Sequence, residues 1–151
     1  MPKVDGIFSD EEWSDSLRLP LRGGRDLFAK RSGEYLCIGM QGASGGIGSL
    51  GLGVGDSIRI LHASTGLITA GYKKSENMWV TGEGFRGPEV QPGVEYPRGE
   101  IRQSDQYRQA NLSQFGWTAN VVELGPPEEM EYIVRIGEAA GQRVWLSVVF
   151  F

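Results

Sequence analysis

Short runs in which apolar and polar residues alternate recur along this chain, and small turn-forming residues separate them. The clearest case is residues 56–72, where β-branched and apolar residues lie on both sides of Ser64, Thr65 and Gly66. Alternation with a period of two predicts strands, and a tight turn between two such runs predicts a β-hairpin. One face of its first strand carries Ile58, Ile60 and His62, and the other carries Arg59, Leu61 and Ala63.

The same pattern predicts the remaining elements. Ser9 or Asp10 caps one helical turn that ends with Trp13 packed inward, and residues 105–115 form a short helix. Residues 41–55 are predicted to be a long flexible loop, and residues 82–104 a surface excursion. Further strands are expected at residues 4–8, 17–21 (half-buried), 27–30, 34–40, 79–81, 117–124, 130–136 and 143–151, the last being central because both its faces are apolar.

About eight or nine short strands without helix–strand alternation predict an all-β fold, a two-sheet antiparallel β-sandwich of the jelly-roll kind. At most one or two short helices are expected, in a single domain over residues 1–151. Glycine occupies 23 of 151 positions, which favours many turns and short strands.

Charge and cysteine content narrow the function classes. The formal net charge is −4, so no basic surface for nucleic acid or an anionic membrane is expected. No run approaches the roughly 20 apolar residues of a membrane-spanning helix. The start shows no signal peptide, which predicts a cytoplasmic protein unless a signal has been removed. The single cysteine, Cys37, excludes an internal disulfide and is expected to be a buried, inert thiol.

Two glycine-rich motifs match those of nucleotide-binding and hydrolase sites, but the neighbouring sequence disfavours both assignments. Residues 42–48 have the glycine spacing of a dinucleotide-binding loop, but the glycines continue where a helix would have to begin. Ser44 lies in a G-x-S-x-G pattern with Asp56 and His62 after it, but a hydrolase elbow needs a strand–turn–helix in a parallel sheet. Both motifs are therefore interpreted as parts of the loop.

Aromatic and polar side chains near turns indicate a ligand site. Aromatic faces stack on sugar rings or cations, and asparagine, glutamine and arginine bind hydroxyl groups. Trp13 and Trp145 lie in core-like patterns, and His62 has a competing interpretation as a core residue with both ring nitrogens satisfied. The residues predicted to bind a ligand are His62, Ser64, Trp79, Phe85, Tyr107, Arg108, Trp117 and Asn120.

No metal or cofactor is predicted. One histidine and one cysteine do not make a transition-metal site. The acidic residues near the start lack the spacing of a calcium loop and, like Glu128, Glu129 and Glu131, are expected to be solvated.

The stretches Val4-Asp5-Gly6, Ser9-Asp10-Glu11-Glu12-Trp13, Tyr35-Leu36-Cys37-Ile38-Gly39 and Gly55-Asp56-Ser57-Ile58 resemble the layout of DOMON-like domains and family 9 carbohydrate-binding modules. The resemblance covers about the first 60 residues. It implies a jelly-roll sandwich that binds sugars or, in other branches, haem held by methionine and histidine. Met40 or Met78 with His62 would be the corresponding haem ligands here.

The sequence therefore predicts a non-enzymatic β-sandwich module that binds a small polar ligand such as a saccharide. One alternative is a hydrolase-like site in which His62, Ser64 and a carboxylate act as acid and base. The other is an interaction or structural module whose glycine-rich loop and edge strands contact a partner chain. A homo-oligomer is possible, and a stable homodimer would favour the interaction module.

Overall fold

The computed structural model describes residues 1–42, 48–64, 66–82, 105–120, 129–137 and 143–150. They form two helices and ten strands. In chain order these are α1 (Asp10–Trp13), β1 (Leu17–Leu21), β2 (Arg25–Ser32), β3 (Tyr35–Gln41), β4 (Gly48–Val54), β5 (Ser57–Ala63), β6 (Leu67–Ser75), β7 (Met78–Thr81), α2 (Asp105–Phe115), β8 (Trp117–Ala119), β9 (Glu129–Arg135) and β10 (Val144–Phe150).

The strands form two five-stranded antiparallel sheets, which confirms the predicted two-sheet sandwich. Sheet A has the order β1-β2-β3-β9-β8, and sheet B has the order β10-β4-β5-β6-β7. The predicted hairpin at residues 56–72 is β5 paired with β6, with His62 opposite Ile68. The second predicted hairpin is β2 paired with β3, turning at Gly33 with φ of +60°.

The main core lies between the two sheets and is built from alternate residues of each strand. On β5, Leu61 and Ala63 face this core, so Ile58, Ile60 and His62 lie on the outer face of sheet B. The fully or nearly buried members are Leu27, Ile38, Met40, Leu50, Leu52, Leu61, Ala63, Leu67, Trp117, Ala119, Met130, Tyr132 and Val134.

A second apolar layer covers the outer face of sheet A. It joins Val4 and Trp13 from the N-terminal segment, Leu112 from α2, and Cys37 and Ile133 from the sheet. As predicted, Ser9 caps α1, and its hydroxyl accepts a hydrogen bond from the amide of Glu12. Phe8 stacks on Trp13 with ring centroids 4.9 Å apart. The buried thiol of Cys37 has its pKa raised to about 11 by burial, which agrees with an inert cysteine.

Two predictions about local structure were wrong. Residues 48–54 form strand β4 rather than loop, with Leu50 and Leu52 buried in the main core while Gly51 and Gly53 face outward. The leucines alternate with the glycines, so the period of two is present even though the glycines suggested a loop. Residues 4–8 form an irregular segment over sheet A, where Phe8 packs on Trp13, and are not an edge strand.

Three predictions about burial were also wrong. Strand β1 forms as expected, but all five of its residues are exposed because it is the edge strand of sheet A. Strand β10 is the edge of sheet B rather than a central strand, although both of its faces are apolar. As a consequence Trp145, which was expected in the core, is 71% exposed.

In the described part of the chain, no second layer like that of sheet A covers the outer face of sheet B. Large side chains on or beside it that remain exposed include Ile60, Trp79, Trp145 and Val149. The predicted excursion beyond Gly82 and the predicted strand beyond Asn120 fall outside the described residues. In the described part of the chain, no helix is long and apolar enough to cross a membrane.

Candidate functional site

The residues predicted to bind a ligand do not come together. Trp117 lies in the main core, where it stacks on Tyr132, and its indole nitrogen donates a 2.8 Å hydrogen bond to Thr69 Oγ1. Asn120 is buried, and its side chain joins two strand residues: Oδ1 accepts from the amide of Glu131 at 2.7 Å, and Nδ2 donates to the carbonyl of Glu129. Neither side chain is open to a ligand.

His62 is half-buried on the outer face of sheet B, and its ring binds a residue that the sequence analysis missed. The Nδ1 atom of His62 lies 2.9 Å from the hydroxyl of Ser49, its direct neighbour on β4. Ser49 was overlooked because residues 41–55 were predicted to be a loop. Ser64 forms a turn instead, since its amide donates to the carbonyl of Gly66. Among the described residues, no carboxylate bonds to His62.

The other predicted residues lie in separate places. Trp79 is exposed on edge strand β7, and Arg108 is on α2 beside a small cavity over the outer face of sheet A. Phe85 and the side chain of Tyr107 fall outside the described residues. For the haem ligands that the resemblance implied, Met40 is buried between the sheets while His62 points away from the core, and Met78 is exposed on β7. In the described part of the chain, no three acidic, histidine or cysteine residues group as metal ligands.

A different site is formed where the inner face of sheet B extends past the main core. It is a cavity of 390 Å³ between β5, β6 and the C-terminal end of α2, a volume within the usual range for small-ligand sites. Its described lining residues are Ser57, Ile58, Arg59, Thr69, Gly71, Tyr72, Lys73, Gly82, Gln114 and Phe115.

The cavity forms because the inward-facing residues of β5 and β6 change from apolar to polar along each strand. On β5 the inward positions change from Leu61 to Arg59, and β6 carries Lys73 opposite Ser57. Gly71, directly opposite Arg59, carries no side chain that would fill the space between the strands. The apolar core therefore ends at a polar compartment with two cations on its wall.

Hydrogen bonds hold parts of the wall in place. The Arg59 guanidinium donates from Nη2 to the carbonyl of Phe115 at 3.1 Å, so it caps the end of α2, where the helix dipole favours a positive charge. The Thr69 hydroxyl accepts from Trp117, which leaves its hydrogen available to donate to an acceptor. Among the described lining residues, Arg59 and Lys73 are cations and none is a carboxylate.

The pattern that reveals this site was present in the sequence. Arg59 alternates with Leu61 and Ala63 on one face of β5, which was recognised, but a charge on a core-facing row was not taken as a sign of a site. Lys73 and Gln114 could not be placed beside it without knowing that α2 ends over β5 and β6.

Glu131 was expected to be solvated, but the structure shows that it is fully buried. Its Oε2 accepts hydrogen bonds from the amides of Asp5 and Gly6, and its Oε1 accepts from the indole of Trp13. Burial raises the pKa of Glu131 to about 7, while these donors partly oppose the rise. With all its partners inside the second layer, Glu131 attaches the N-terminal segment to sheet A.

Comparisons of this chain with family models, with curated proteins and with solved structures found no match. The assignment of a function therefore rests on the cavity and on the chemistry of the residues that line it.

Proposed function

We propose that this domain is a non-enzymatic binding module whose ligand occupies the cavity between β5, β6 and α2. The ligand is a small molecule that carries an anionic group and hydroxyls, and an acidic saccharide fits this description. The observation that carries the proposal is the presence of Arg59 and Lys73 on the wall of one cavity that has no carboxylate among its described lining residues.

The lining residues match the parts of such a ligand. Lys73 supplies a positive charge, and Arg59, which also donates to the end of α2, is a guanidinium, the kind of group that binds carboxylate or phosphate. Thr69 and Gln114 offer hydrogen bonds to hydroxyls, and Phe115 supplies an apolar wall for a sugar ring. The resemblance of the first 60 residues to sugar-binding sandwiches also favours a saccharide.

The lining also favours binding over catalysis. Acid–base catalysis in proteins most often uses histidine, aspartate or glutamate. None of these residue types is among the described residues that line the cavity.

The test is calorimetric titration with glucuronate and, in parallel, with uncharged glucose. We expect glucuronate to bind and the variant Lys73→Met to weaken that binding about tenfold, since one charge-assisted interaction is lost. Lys74→Met is the matched control, because Lys74 lies opposite Trp79 on the other face of β6 and should leave binding unchanged.

Two results would contradict the proposal. One is equal binding of glucose and glucuronate by the unmodified protein, which would remove the role of the cations. The other is an equal loss in Lys73→Met and Lys74→Met, which would show that only the overall charge matters.

A further inference from the structure

A second cavity lies over the outer face of sheet A, on the opposite side of that sheet from the main core. It has a volume of about 290 Å³ and lies between residues 1–4, helix α2 and the strand pair β8–β9. Thr118 and Ile133 are direct partners in that pair, and Ile133 belongs to the second apolar layer. Because direct partners share one face of a sheet, both side chains point away from the main core and into this layer.

The wall formed by residues 1–4 is held in place by hydrogen bonds of the backbone. The amide of Lys3 donates to the carboxylate of Glu12 at 3.2 Å. Two residues later, the amide of Asp5 donates to Oε2 of the buried Glu131 at 3.1 Å. Val4, between these two bonds, is buried in the second layer. The cavity is therefore bordered by backbone that the rest of the fold positions.

The interior of the cavity is apolar except for one hydroxyl group. Val4, Leu112 and Ile133 line it and are nearly fully buried. Thr118 also lines it and is 2% exposed, and its Oγ1 atom has no hydrogen-bond partner among the described residues. A buried hydroxyl without a partner is unfavourable, so an oxygen of a ligand that accepted its proton would supply a hydrogen bond that the described chain does not.

The lining residues on the solvent side are polar. Lys3 and Gln109 are exposed, and Arg108 is half-buried. Among the described lining residues, Lys3 and Arg108 are cations and none is acidic, while Glu12 is close by through its bond to the Lys3 amide. A carboxylate on this side of the cavity would form charge-assisted interactions with the two cations.

We propose that this cavity is a second binding site, which takes a small aliphatic acid that carries a keto group. The hydrocarbon chain packs against Leu112 and Ile133, and the keto oxygen accepts a hydrogen bond from Thr118. The carboxylate lies on the solvent side, near Lys3 and Arg108. The volume is at the lower end of the range for ligand sites, which favours a molecule of few heavy atoms.

The test compares levulinate with two molecules that each lack one of its polar groups. Pentanoate lacks the keto oxygen, and methyl propyl ketone lacks the carboxylate. We expect pentanoate to bind about fivefold more weakly than levulinate, and the ketone at least about tenfold more weakly. Methyl NMR locates the site: the signals of Leu112 and Ile133 should shift with levulinate, and the signal of Ile58, which lines the other cavity, should not.

A pair of variants tests the hydroxyl. Thr118→Val removes it and keeps nearly the same side-chain shape, so levulinate should then bind only as tightly as pentanoate. The variant should be no less stable than the unmodified protein, because the hydroxyl bonds to no described residue. Thr81→Val makes the same change at an exposed position of β7 and should leave the preference for levulinate intact.

Four results would overturn the proposal. They are unchanged Leu112 and Ile133 signals at millimolar levulinate, equal binding of levulinate and pentanoate, a preference for levulinate that survives in Thr118→Val, and a shift of the Ile58 signal alone. The last result would place the acid in the cavity between β5, β6 and α2. The two cavities share no described lining residue, and glucuronate is not used here, so this proposal and the proposed function can fail separately.

Discussion

The outer faces of the two sheets have the same backbone geometry and opposite environments. On sheet A, the N-terminal segment and the helices bury Trp13, Cys37 and Ile133 and enclose the carboxylate of Glu131. On sheet B, the corresponding face leaves Ile60 and Trp145 exposed, and its one histidine bonds only to a neighbouring serine among the described residues. Among the described residues, one face is therefore covered by other parts of the chain, and the other leaves large apolar side chains exposed.

The difference shows that apolar character alone does not identify the buried face of a sheet. Both faces carry large apolar side chains, but among the described residues only sheet A has a covering segment, which reaches it from more than 100 residues away, with Asp5 bonded to Glu131 across 126 positions. Substitutions on the covered face should therefore change the free energy of unfolding, and substitutions on the bare face should not.

The largest effect is expected from Glu131→Ala. The substitution leaves the amides of Asp5 and Gly6 and the indole of Trp13 without an acceptor and opens a cavity in the second layer. We expect a loss of about 3 kcal/mol or more, since each unsatisfied buried donor costs roughly 1–3 kcal/mol. Urea unfolding at pH 5 measures it. Ser49→Ala, which removes the bond to His62 on the bare face, is the control and should cost less than about 1 kcal/mol.

The second effect is a dependence of stability on pH. The pKa of Glu131 is raised from 4.5 to about 7, so between these values the folded chain holds a proton that the unfolded chain has released. The free energy of unfolding should therefore fall as pH rises from about 4.5 to about 7 and change little above that, by at most about 3 kcal/mol.

Urea unfolding at several pH values, for the protein and for Glu131→Gln, isolates this contribution. The variant cannot titrate at this position, so the difference in stability between the two proteins should vary with pH in that window. A difference that stays constant from pH 4.5 to 7.5 would show that Glu131 titrates normally.

The third effect compares two glycines in the middle of strands. A Cβ at Gly39 would lie 2.7 Å from Phe8 Cζ and 2.8 Å from Trp13 Cζ2, so Gly39→Ala must displace the stacked rings. We expect a loss of about 2 kcal/mol from overpacking. At Gly51 on the bare face, the nearest atom would be Ser147 Cβ at 3.3 Å, and Gly51→Ala should change stability by less than about 0.5 kcal/mol. Similar losses in both variants would mean that the faces are equally packed.

The smallest effect is expected from Trp145→Ala. Although tryptophan is the largest side chain, this one is 71% exposed at the sheet edge. The free energy of unfolding, measured by thermal unfolding, should therefore change by no more than about 0.5 kcal/mol. A loss of several kcal/mol would show that Trp145 is packed against other groups in solution.

The sequence predicted what depends on neighbours along the chain. Hairpin β5–β6, the cap at Ser9 and helix α2 follow from alternation and from turn and capping residues, and all three are present. These features need no knowledge of distant contacts, which is why local patterns were sufficient.

The burial of individual side chains and the position of the cavity could not be predicted, because they depend on which distant element covers which face of a sheet. Trp117 was predicted to bind a ligand and Trp145 to lie in the core, yet Trp117 is buried between the sheets and Trp145 is exposed at an edge. Glu131 was expected to be solvated because nothing near it in sequence shows that residues 5 and 6 supply its donors. The charged cavity was missed for the same reason, since its two walls meet only in the folded chain.

The separation of Asp5 and Trp13 from Glu131 along the chain has a consequence for synthesis of the protein on the ribosome. Strands β4 to β7 are consecutive and can pair as soon as residue 81 has emerged. The first 13 residues, in contrast, must wait until β9 has been translated before Trp13 finds its carboxylate. During that interval Phe8 and Trp13 are exposed on the nascent chain, so we expect slow formation of the second layer and chaperone contact at this N-terminal segment.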